Sequence, residues 1–176
     1  MTDVRRAGAD DADDLMAMRA VMMGALWGAA SAQPGDWMTT GANLLRTRLP
    51  GDRMAAFVVD RPDGGGIAAC AVGEIDQRLP GPGDPTGLRG YIYNVATVEE
   101  FRRRGWSRAC MEALLRWFED EGVGAVDLRA SPEGEGLYTA LGFKRTEHPH
   151  MRRLSSPTPS RRAATPRSAT SATPMS

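Results

Sequence analysis

The sequence has few of the residues that build disulfide-rich, zinc-binding or strongly charged proteins. Two cysteines, Cys70 and Cys110, are too few for a disulfide framework or a cysteine-rich zinc site. Two histidines, His148 and His150, are too few for most histidine-based metal sites, so we expect no metal. The 22 basic and 22 acidic residues give a net charge of zero, which argues against nucleic acid and membrane surfaces as partners.

A long hydrophobic run and a targeting segment are also missing. The most apolar stretch, Leu15 to Ala30, contains Arg19 and is shorter than a membrane span. Acidic residues follow the first few positions, where a signal peptide would need an apolar run. We therefore expect a cytoplasmic protein. Only one basic residue, Lys144, is a lysine, and we interpret the arginine excess as a compositional bias of the source genome.

The rest of the composition is that of one globular domain. The chain has 176 residues, of which 41% are hydrophobic and 25% charged. Residues 155–176 differ, because they are rich in Ser, Thr, Pro and Ala and contain three arginines and no acidic residue. Such a segment buries too little apolar surface to offset the entropy of ordering. We expect a folded domain over 2–154 and a disordered tail over 155–176.

Apolar periodicity and turn signals predict a mixed α/β fold. The predicted strands cover 4–7, 54–59, 67–75, 90–98, 125–128, 143–146 and 149–154, and the predicted helices cover 10–27, 36–49, 103–121 and 131–142. A Pro- and Gly-rich turn at 61–66 joins two of the strands as a hairpin. The helix over 103–121 is the clearest element, because it has one apolar face and Gly122 ends it.

The most informative segment is Arg102-Arg103-Arg104-Gly105-Trp106-Ser107, between a predicted strand and a predicted helix. Such a junction presents unpaired backbone N–H groups and the positive end of a helix dipole, which together suit phosphates. Gly105 and Ser107 are small enough to let a ligand approach the backbone. The segment matches neither the P-loop nor the dinucleotide-binding pattern. Taken alone, three arginines at a helix start are more often a solvated surface.

A second segment, Leu137-Tyr138-Thr139-Ala140-Leu141-Gly142-Phe143, follows thirty residues later. The two segments, in this order and after an acidic first helix, resemble the GNAT acetyltransferase superfamily over about residues 2–154. In that family an Arg/Gln-x-x-Gly-x-Gly/Ala loop binds the pyrophosphate of acetyl-CoA, and here it reads Arg102-x-x-Gly105-x-Ser107. The resemblance implies a single-domain α/β acyltransferase fold, with a mixed, mostly antiparallel twisted sheet flanked by about four helices.

The resemblance also implies a reaction and its residues. An amine attacks the thioester of acetyl-CoA directly, and Tyr138 protonates the departing thiolate, for which a phenol with a pKa of about 10 is suited. The strand segment Ala96-Thr97-Val98 pairs with the pantetheine arm. The pyrophosphate is bound by the loop and the start of the helix, which comprise Arg102, Arg103, Arg104, Gly105, Trp106, Ser107 and Arg108. Dimers are frequent in the family, so a homodimer is left open.

The acceptor side departs from the family pattern. Some members carry a glutamate base on the strand before the phosphate loop, but residues 89–98 contain no acid. Glu74 and Asp76, on one face of the preceding strand, are the replacement candidates, as a base or as acceptor contacts, unless they are simply exposed carboxylates. Tyr91 and Tyr93 also share a strand face, and they line either an acceptor pocket or the core.

Three functions fit these patterns. The first is an acetyl-CoA-dependent N-acetyltransferase that acts on an amine. The second is a non-catalytic acyl-CoA-binding sensor or subunit of the same fold, which the missing base keeps open. The third is an interaction protein that binds nucleic acid through its arginines, which the zero net charge and the acidic first half disfavour.

Overall fold

A computed structural model describes residues 2–147 and 150–154 of the chain. The strands are β1 (Arg5–Arg6), β2 (Met54–Asp60), β3 (Ile67–Gln77), β4 (Leu88–Thr97) and β5 (Ala125–Leu128), and the α-helices are α1 (Ala12–Trp27), α2 (Asp36–Arg48), α3 (Trp106–Asp120) and α4 (Glu135–Ala140). Short 3-10 turns cover Ala9–Asp11, Ala29–Ala32 and Glu99–Phe101. These elements belong to one compact unit that ends at Lys144. None of the helices in the described ranges is long and apolar enough to cross a membrane.

The five strands form one sheet in the order β1-β2-β3-β4-β5. Every neighbouring pair is antiparallel except β4 and β5, which are parallel. This sheet and its four α-helices confirm the predicted mixed, mostly antiparallel α/β fold. The pairing of β4 with β5 stops at Ile92 and Leu128, although β4 continues to Thr97. The last half of β4 therefore lacks a β5 partner.

A bulge interrupts the pairing of β3 with β4. Val72 pairs with Asn94 and Gly73 pairs with Ile92, so Tyr93 is an extra residue on β4. A bulge breaks the alternation of side chains along a strand. Tyr93 and Asn94 accordingly line the same cavity, although they are neighbours in the sequence.

The two faces of the sheet carry separate hydrophobic clusters, one with α1 and α2 and the other with α3 and α4. Phe118 of α3 is fully buried in the second cluster. A Cβ atom built on Gly73 or on Gly90 would lie 2.8 Å from its ring, so these two strand glycines make room for it. Burial of such a side chain contributes about 1.5–3 kcal/mol, and it anchors α3 across β3 and β4.

The structure corrects two predicted strands near the end of the domain. Residues 143–146 and 150–154 have no strand structure, while His148 and Pro149 lie outside the described residues. The run from Phe143 to Thr146 has one large apolar side chain, and Phe143 packs edge-on against the Tyr138 ring instead of joining a pleated face. The predicted tail over 155–176 also lies outside the described residues.

Two predicted helix starts shift by a few residues. The third helix begins at Trp106 rather than at 103, because Arg103 (φ 61°) and Gly105 (φ 80°) adopt left-handed backbone conformations. The fourth helix begins at Glu135 with Gly134 as its N-cap residue, and Ser131 lies in the turn before it, where the Ser131 Oγ accepts a hydrogen bond from the Gly134 N–H at 3.1 Å.

Candidate functional site

The loop before α3 presents a row of backbone donors. Arg103 and Gly105 both have positive φ, and for a non-glycine residue such as Arg103 this conformation costs about 1–2 kcal/mol. Within the part of the chain that the structure describes, the N–H groups of residues 103–108 have no backbone carbonyl partner. They stand at the positive end of the α3 dipole, which is the arrangement that binds phosphate.

The loop of residues 102–108, which is the candidate phosphate loop, is tied to the end of β4. The Ser107 and Thr97 hydroxyls form a hydrogen bond with each other. The Arg102 Nε donates a hydrogen bond to the Thr97 carbonyl at 3.3 Å. Ser107 replaces the Gly or Ala that the family motif prefers, and its hydroxyl provides this link between the loop and the strand.

The arginines of the loop differ in how firmly they are held. The Phe101 and Trp106 rings stack 5.1 Å apart, and the Arg104 guanidinium lies 5.2 Å and 5.6 Å from their centroids. The Arg108 Nε donates to the Glu112 carboxylate at 2.8 Å. The Arg103 side chain is exposed. Two of the four arginines, Arg104 and Arg108, are thus positioned by aromatic and carboxylate neighbours.

The half of β4 that lacks a β5 partner leads from this loop toward the centre of the sheet. Val98 is engaged within the protein, because its N–H donates to the Ala68 carbonyl and its own carbonyl accepts from the Phe101 N–H, both at 2.9 Å. Ala96 and Thr97 lie on the stretch that β5 does not reach. A strand edge of this kind presents main-chain groups to an extended ligand.

Tyr138 lies on α4 in the second hydrophobic cluster, half-buried and edge-to-face with Phe143 at 6.1 Å. Burial raises the pKa of the Tyr138 hydroxyl, which is therefore protonated at neutral pH. A Cβ atom on Gly134 would lie 2.9 Å from the Tyr138 ring, so the ring leans back over the first turn of its helix. Among the described residues, the Tyr138 hydroxyl has no hydrogen-bond partner.

A cavity of about 850 Å³ opens on the other face of the sheet, between α1, α2 and the strands. Its walls are mainly aliphatic and aromatic, and Tyr91 and Tyr93 stack there with ring centroids 6.5 Å apart. The sequence left open whether Tyr91 and Tyr93 line a pocket or the core, and the structure places both in the wall of a cavity. The helix predicted over 36–49 also contributes, since Trp37 and Leu44 of α2 are part of the wall.

Three charged side chains line this cavity. The Arg48 Nη1 lies 2.7 Å from the Glu74 Oε2, and Arg19 enters from α1. Burial raises the pKa of Tyr93 to about 12 and the Glu74 charge adds to the rise, while Arg48 and Arg19 oppose it. All three charges therefore act on the Tyr93 hydroxyl, which contacts the Met54 sulfur at 3.6 Å.

Asp76, the second candidate carboxylate, is not among the residues that line the cavity. Its side chain is 61% exposed and lies 3.5 Å from the Arg78 guanidinium. The alternation of the strand places it on the same face as Glu74, but farther toward the strand end. Of the two candidates, the structure brings only Glu74 together with Tyr91 and Tyr93.

Sequence reasoning missed Arg19, Arg48 and Asn94 as members of this site. Asn94 is 3% exposed, and its Nδ2 contacts the Cys70 sulfur at 3.6 Å. Its Oδ1 has no hydrogen-bond partner in the described part of the chain. Asn94 carried a signal in the sequence, because strands are depleted in asparagine and this one lies inside an apolar run. Arg19 carried a signal as well, as the one charge in the apolar stretch 15–30.

The two cysteines are packed as small apolar residues. Cys70 and Cys110 are both buried, and burial raises the pKa of each thiol to about 12. Thiols with such a pKa are not thiolates at neutral pH and are poor nucleophiles. Within the described ranges, no three His, Cys, Asp or Glu side chains are arranged as a metal-ligand set.

Comparisons with known proteins agree with this architecture. Solved structures similar to the chain include a GCN5-related N-acetyltransferase from Ralstonia eutropha (24% identity, TM-score 0.71, covering 89% of this chain and 97% of that one). Another is a predicted acetyltransferase from Clostridium acetobutylicum with acetyl-CoA (20% identity, TM-score 0.73, covering 88% of this chain and 97% of that one). A third is glucosamine-6-phosphate N-acetyltransferase from Arabidopsis thaliana (18% identity, TM-score 0.65, covering 87% of this chain and 98% of that one).

The family assignment comes from the sequence itself. No curated protein sequence matches the chain significantly. Residues 24–143, which include the phosphate loop and Tyr138, match the acetyltransferase (GNAT) family. This match covers more than half of the chain, and the sheet with its divergent β4 and β5 has the fold of the solved acetyltransferases. The chain therefore belongs to the GNAT family of acetyltransferases.

Proposed function

We propose that the protein transfers the acetyl group of acetyl-CoA to an amine by direct attack of the amine on the thioester. One observation carries the proposal: the half of β4 without a β5 partner runs from a row of unpaired N–H groups to a cavity that contains a carboxylate. A single extended strand edge thus connects an anion site with an acceptor site. Two substrates that meet at such an edge react as if in one molecule.

The residues of the loop and of β4 fit the cofactor. The N–H groups of residues 103–108 bind the pyrophosphate, with charge supplied by Arg102, Arg103 and Arg104. Ala96 and Thr97 pair through their main chain with the amides of the pantetheine arm. Since β5 leaves β4 after Ile92, this pairing does not compete with β5, and β3 keeps its pairing on the other edge of β4.

Tyr138 acts as the general acid. When the tetrahedral adduct collapses, the bond between carbon and sulfur breaks, and the phenol donates its proton to the departing thiolate. The attacking nitrogen releases one proton to water, and water returns a proton to the Tyr138 phenolate. The raised pKa of Tyr138 keeps this proton in place throughout the neutral range. The missing partner of its hydroxyl, among the described residues, leaves that proton available for a ligand.

Glu74 contacts the acceptor. Its carboxylate already shares a hydrogen bond with Arg48 at 2.7 Å, and it lines the cavity beside Tyr91 and Tyr93. We assign to Glu74 the binding of the acceptor ammonium group, which loses its proton to water before attack. Residues 89–98 contain no acidic residue. Among the described residues that line the cavity, Glu74 is the one carboxylate.

The second candidate is an acyl-CoA-binding protein that does not catalyse transfer. The observation in its favour is the engagement of Glu74 by Arg48, because a carboxylate that is already held by a guanidinium is less available to an acceptor amine. Such a protein keeps the phosphate loop and the free edge of β4 but has no acceptor chemistry.

A thiol-release assay distinguishes the two candidates. Acetyl-CoA is supplied to the full chain with a panel of amines that differ in size, charge and polarity, and a reaction without amine measures hydrolysis. We expect CoA thiol to appear faster with at least one amine than without. If calorimetry detects acetyl-CoA binding while no amine accelerates thiol release, the binding protein is the correct assignment.

A further inference from the structure

The cavity beside β4 has a wall chemistry that selects among amines. Most of its surface is aliphatic or aromatic, and Met23, Trp37 and Leu44 form part of it. The charged members are two guanidinium groups, Arg19 and Arg48, and one carboxylate, Glu74. The lining therefore carries one net positive charge, although the net charge of the whole chain is zero.

Arg19 is the unbalanced member of this set. It is half-buried on α1, on the same helix face as Leu15 and Met23, which both line the cavity. Arg48 is neutralised by Glu74 at 2.7 Å, whereas Arg19 has no hydrogen-bond or ion-pair partner in the described part of the chain. A charge on an apolar wall is costly unless an opposite charge joins it. A ligand anion would balance Arg19.

We propose that the acceptor is an apolar amine that carries a carboxylate, such as a hydrophobic amino acid or a short apolar peptide. This inference rests on the proposed function and names its acceptor class. Arg19 binds the carboxylate, Glu74 binds the amine, and the aromatic and aliphatic walls enclose the apolar body. Once the amine has lost its proton, such an acceptor has one net negative charge and complements the one net positive charge of the lining.

The same lining disfavours two other classes of amine. A polyamine or an aminoglycoside carries several positive charges, which the net positive charge of the lining, left by Arg19, repels. The hydroxyl groups of a sugar would also lose their hydrogen bonds with water against walls that are mostly apolar. The cavity volume of about 850 Å³ is within the usual range for small-molecule sites and admits an acceptor larger than one amino acid.

Matched probes test the proposal. L-phenylalanine and phenethylamine share a body and an amine, but only the first has a carboxylate, and L-leucyl-L-phenylalanine presents a carboxylate on a longer body. We expect kcat/KM to be at least about 10-fold higher for one of the two carboxylates than for phenethylamine, in line with a charge-assisted hydrogen bond. In Arg19→Gln this preference should disappear, mainly through KM, and Arg19→Lys should restore part of it.

Arg116→Gln is the matched control. Arg116 is an exposed arginine of α3 outside the cavity lining, so this variant should keep the wild-type preference. If phenethylamine is the best of the three probes, or if Arg19→Gln leaves the preference for a carboxylate intact, the acceptor class is wrong and the acetyltransferase proposal stands.

Calorimetric titration with the same probes separates the two proposals when turnover is absent. If no amine releases thiol but L-phenylalanine or the dipeptide binds to the wild type and not to Arg19→Gln, the transfer reaction is wrong and the ligand class is right. If no amine of the whole panel is turned over and none of the probes binds, both proposals are overturned. The KM or Kd for acetyl-CoA, at a site away from Arg19, reports whether each variant is folded.

Discussion

The hydroxyl of Tyr138 allows a test in which one oxygen atom is removed and the packing is kept. In Tyr138→Phe the ring retains its edge-to-face contact with Phe143 at 6.1 Å and its place in the second cluster. Because the hydroxyl has no hydrogen-bond partner among the described residues, the free energy of unfolding should change by less than about 0.5 kcal/mol. Any large effect on turnover then reflects chemistry rather than folding.

The expected loss of turnover is large. General acid catalysis contributes about 10²–10⁴-fold, so kcat should fall by that factor, equivalent to about 3–5 kcal/mol of activation free energy. The Kd for acetyl-CoA should stay within about threefold, because the phosphate loop and β4 are untouched. Since burial raises the pKa of Tyr138 above its usual value of about 10, the wild type should lose no activity through this group until the pH exceeds 10.

Gly134→Ala provides the companion variant. Its new Cβ would lie 2.9 Å from the Tyr138 ring, so the ring must move while its hydroxyl remains. A displacement of about 1 Å can cost about 100-fold in rate, and we expect kcat to fall without loss of acetyl-CoA affinity. Steady-state kinetics with saturating acetyl-CoA measures both variants. Equal kcat values for the wild type and Tyr138→Phe would refute the acid role.

Three other outcomes are expected. Gly105→Ala and Gly122→Ala both place a side chain at positive φ, and each should cost about 1–2 kcal/mol of stability in thermal unfolding. Only Gly105→Ala should weaken acetyl-CoA binding in calorimetry. Equal acetyl-CoA affinities for the two variants would contradict the assignment of the loop. Phe118→Ala should lower the free energy of unfolding by about 3–5 kcal/mol in urea titrations, and a loss below about 1 kcal/mol would contradict its anchoring role. The Arg5 guanidinium lies 2.7 Å from the Asp11 carboxylate and lowers the pKa of Asp11. This pair therefore stabilises the wild type above about pH 4, and the stabilisation is lost as the pH falls through the lowered pKa. Asp11→Asn should flatten this acid dependence of the urea midpoint, and an unchanged pH profile would show that the pair does not cause the dependence.

Local patterns predicted the elements that short-range physics determines. The hairpin of β2 and β3 follows from a turn rich in Pro and Gly between two apolar runs. The end of α3 follows from Gly122, which adopts φ 74° as a residue after a helix should. The phosphate loop was visible because its glycine, its arginines and its neighbouring elements are contiguous in the chain.

The acceptor side was harder to predict because its residues are brought together by the tertiary fold. Arg19, Arg48 and Glu74 come from α1, α2 and β3, and no sequence spacing relates them. Asn94 joins them only because the bulge at Tyr93 reverses the alternation of β4. The strand predicted at 143–146 was wrong for a related reason, since one apolar residue cannot define a buried strand face.

The fate of a labelled acetyl group tests direct transfer most simply. The full chain is mixed with acetyl-CoA labelled in its acetyl group, and a responsive amine is then added, with the label followed on both protein and amine. Because Cys70 and Cys110 are buried thiols with a pKa of about 12, we expect no label on the protein and one labelled amine for each CoA released. Label that first appears on the protein and then moves to the amine would contradict direct attack.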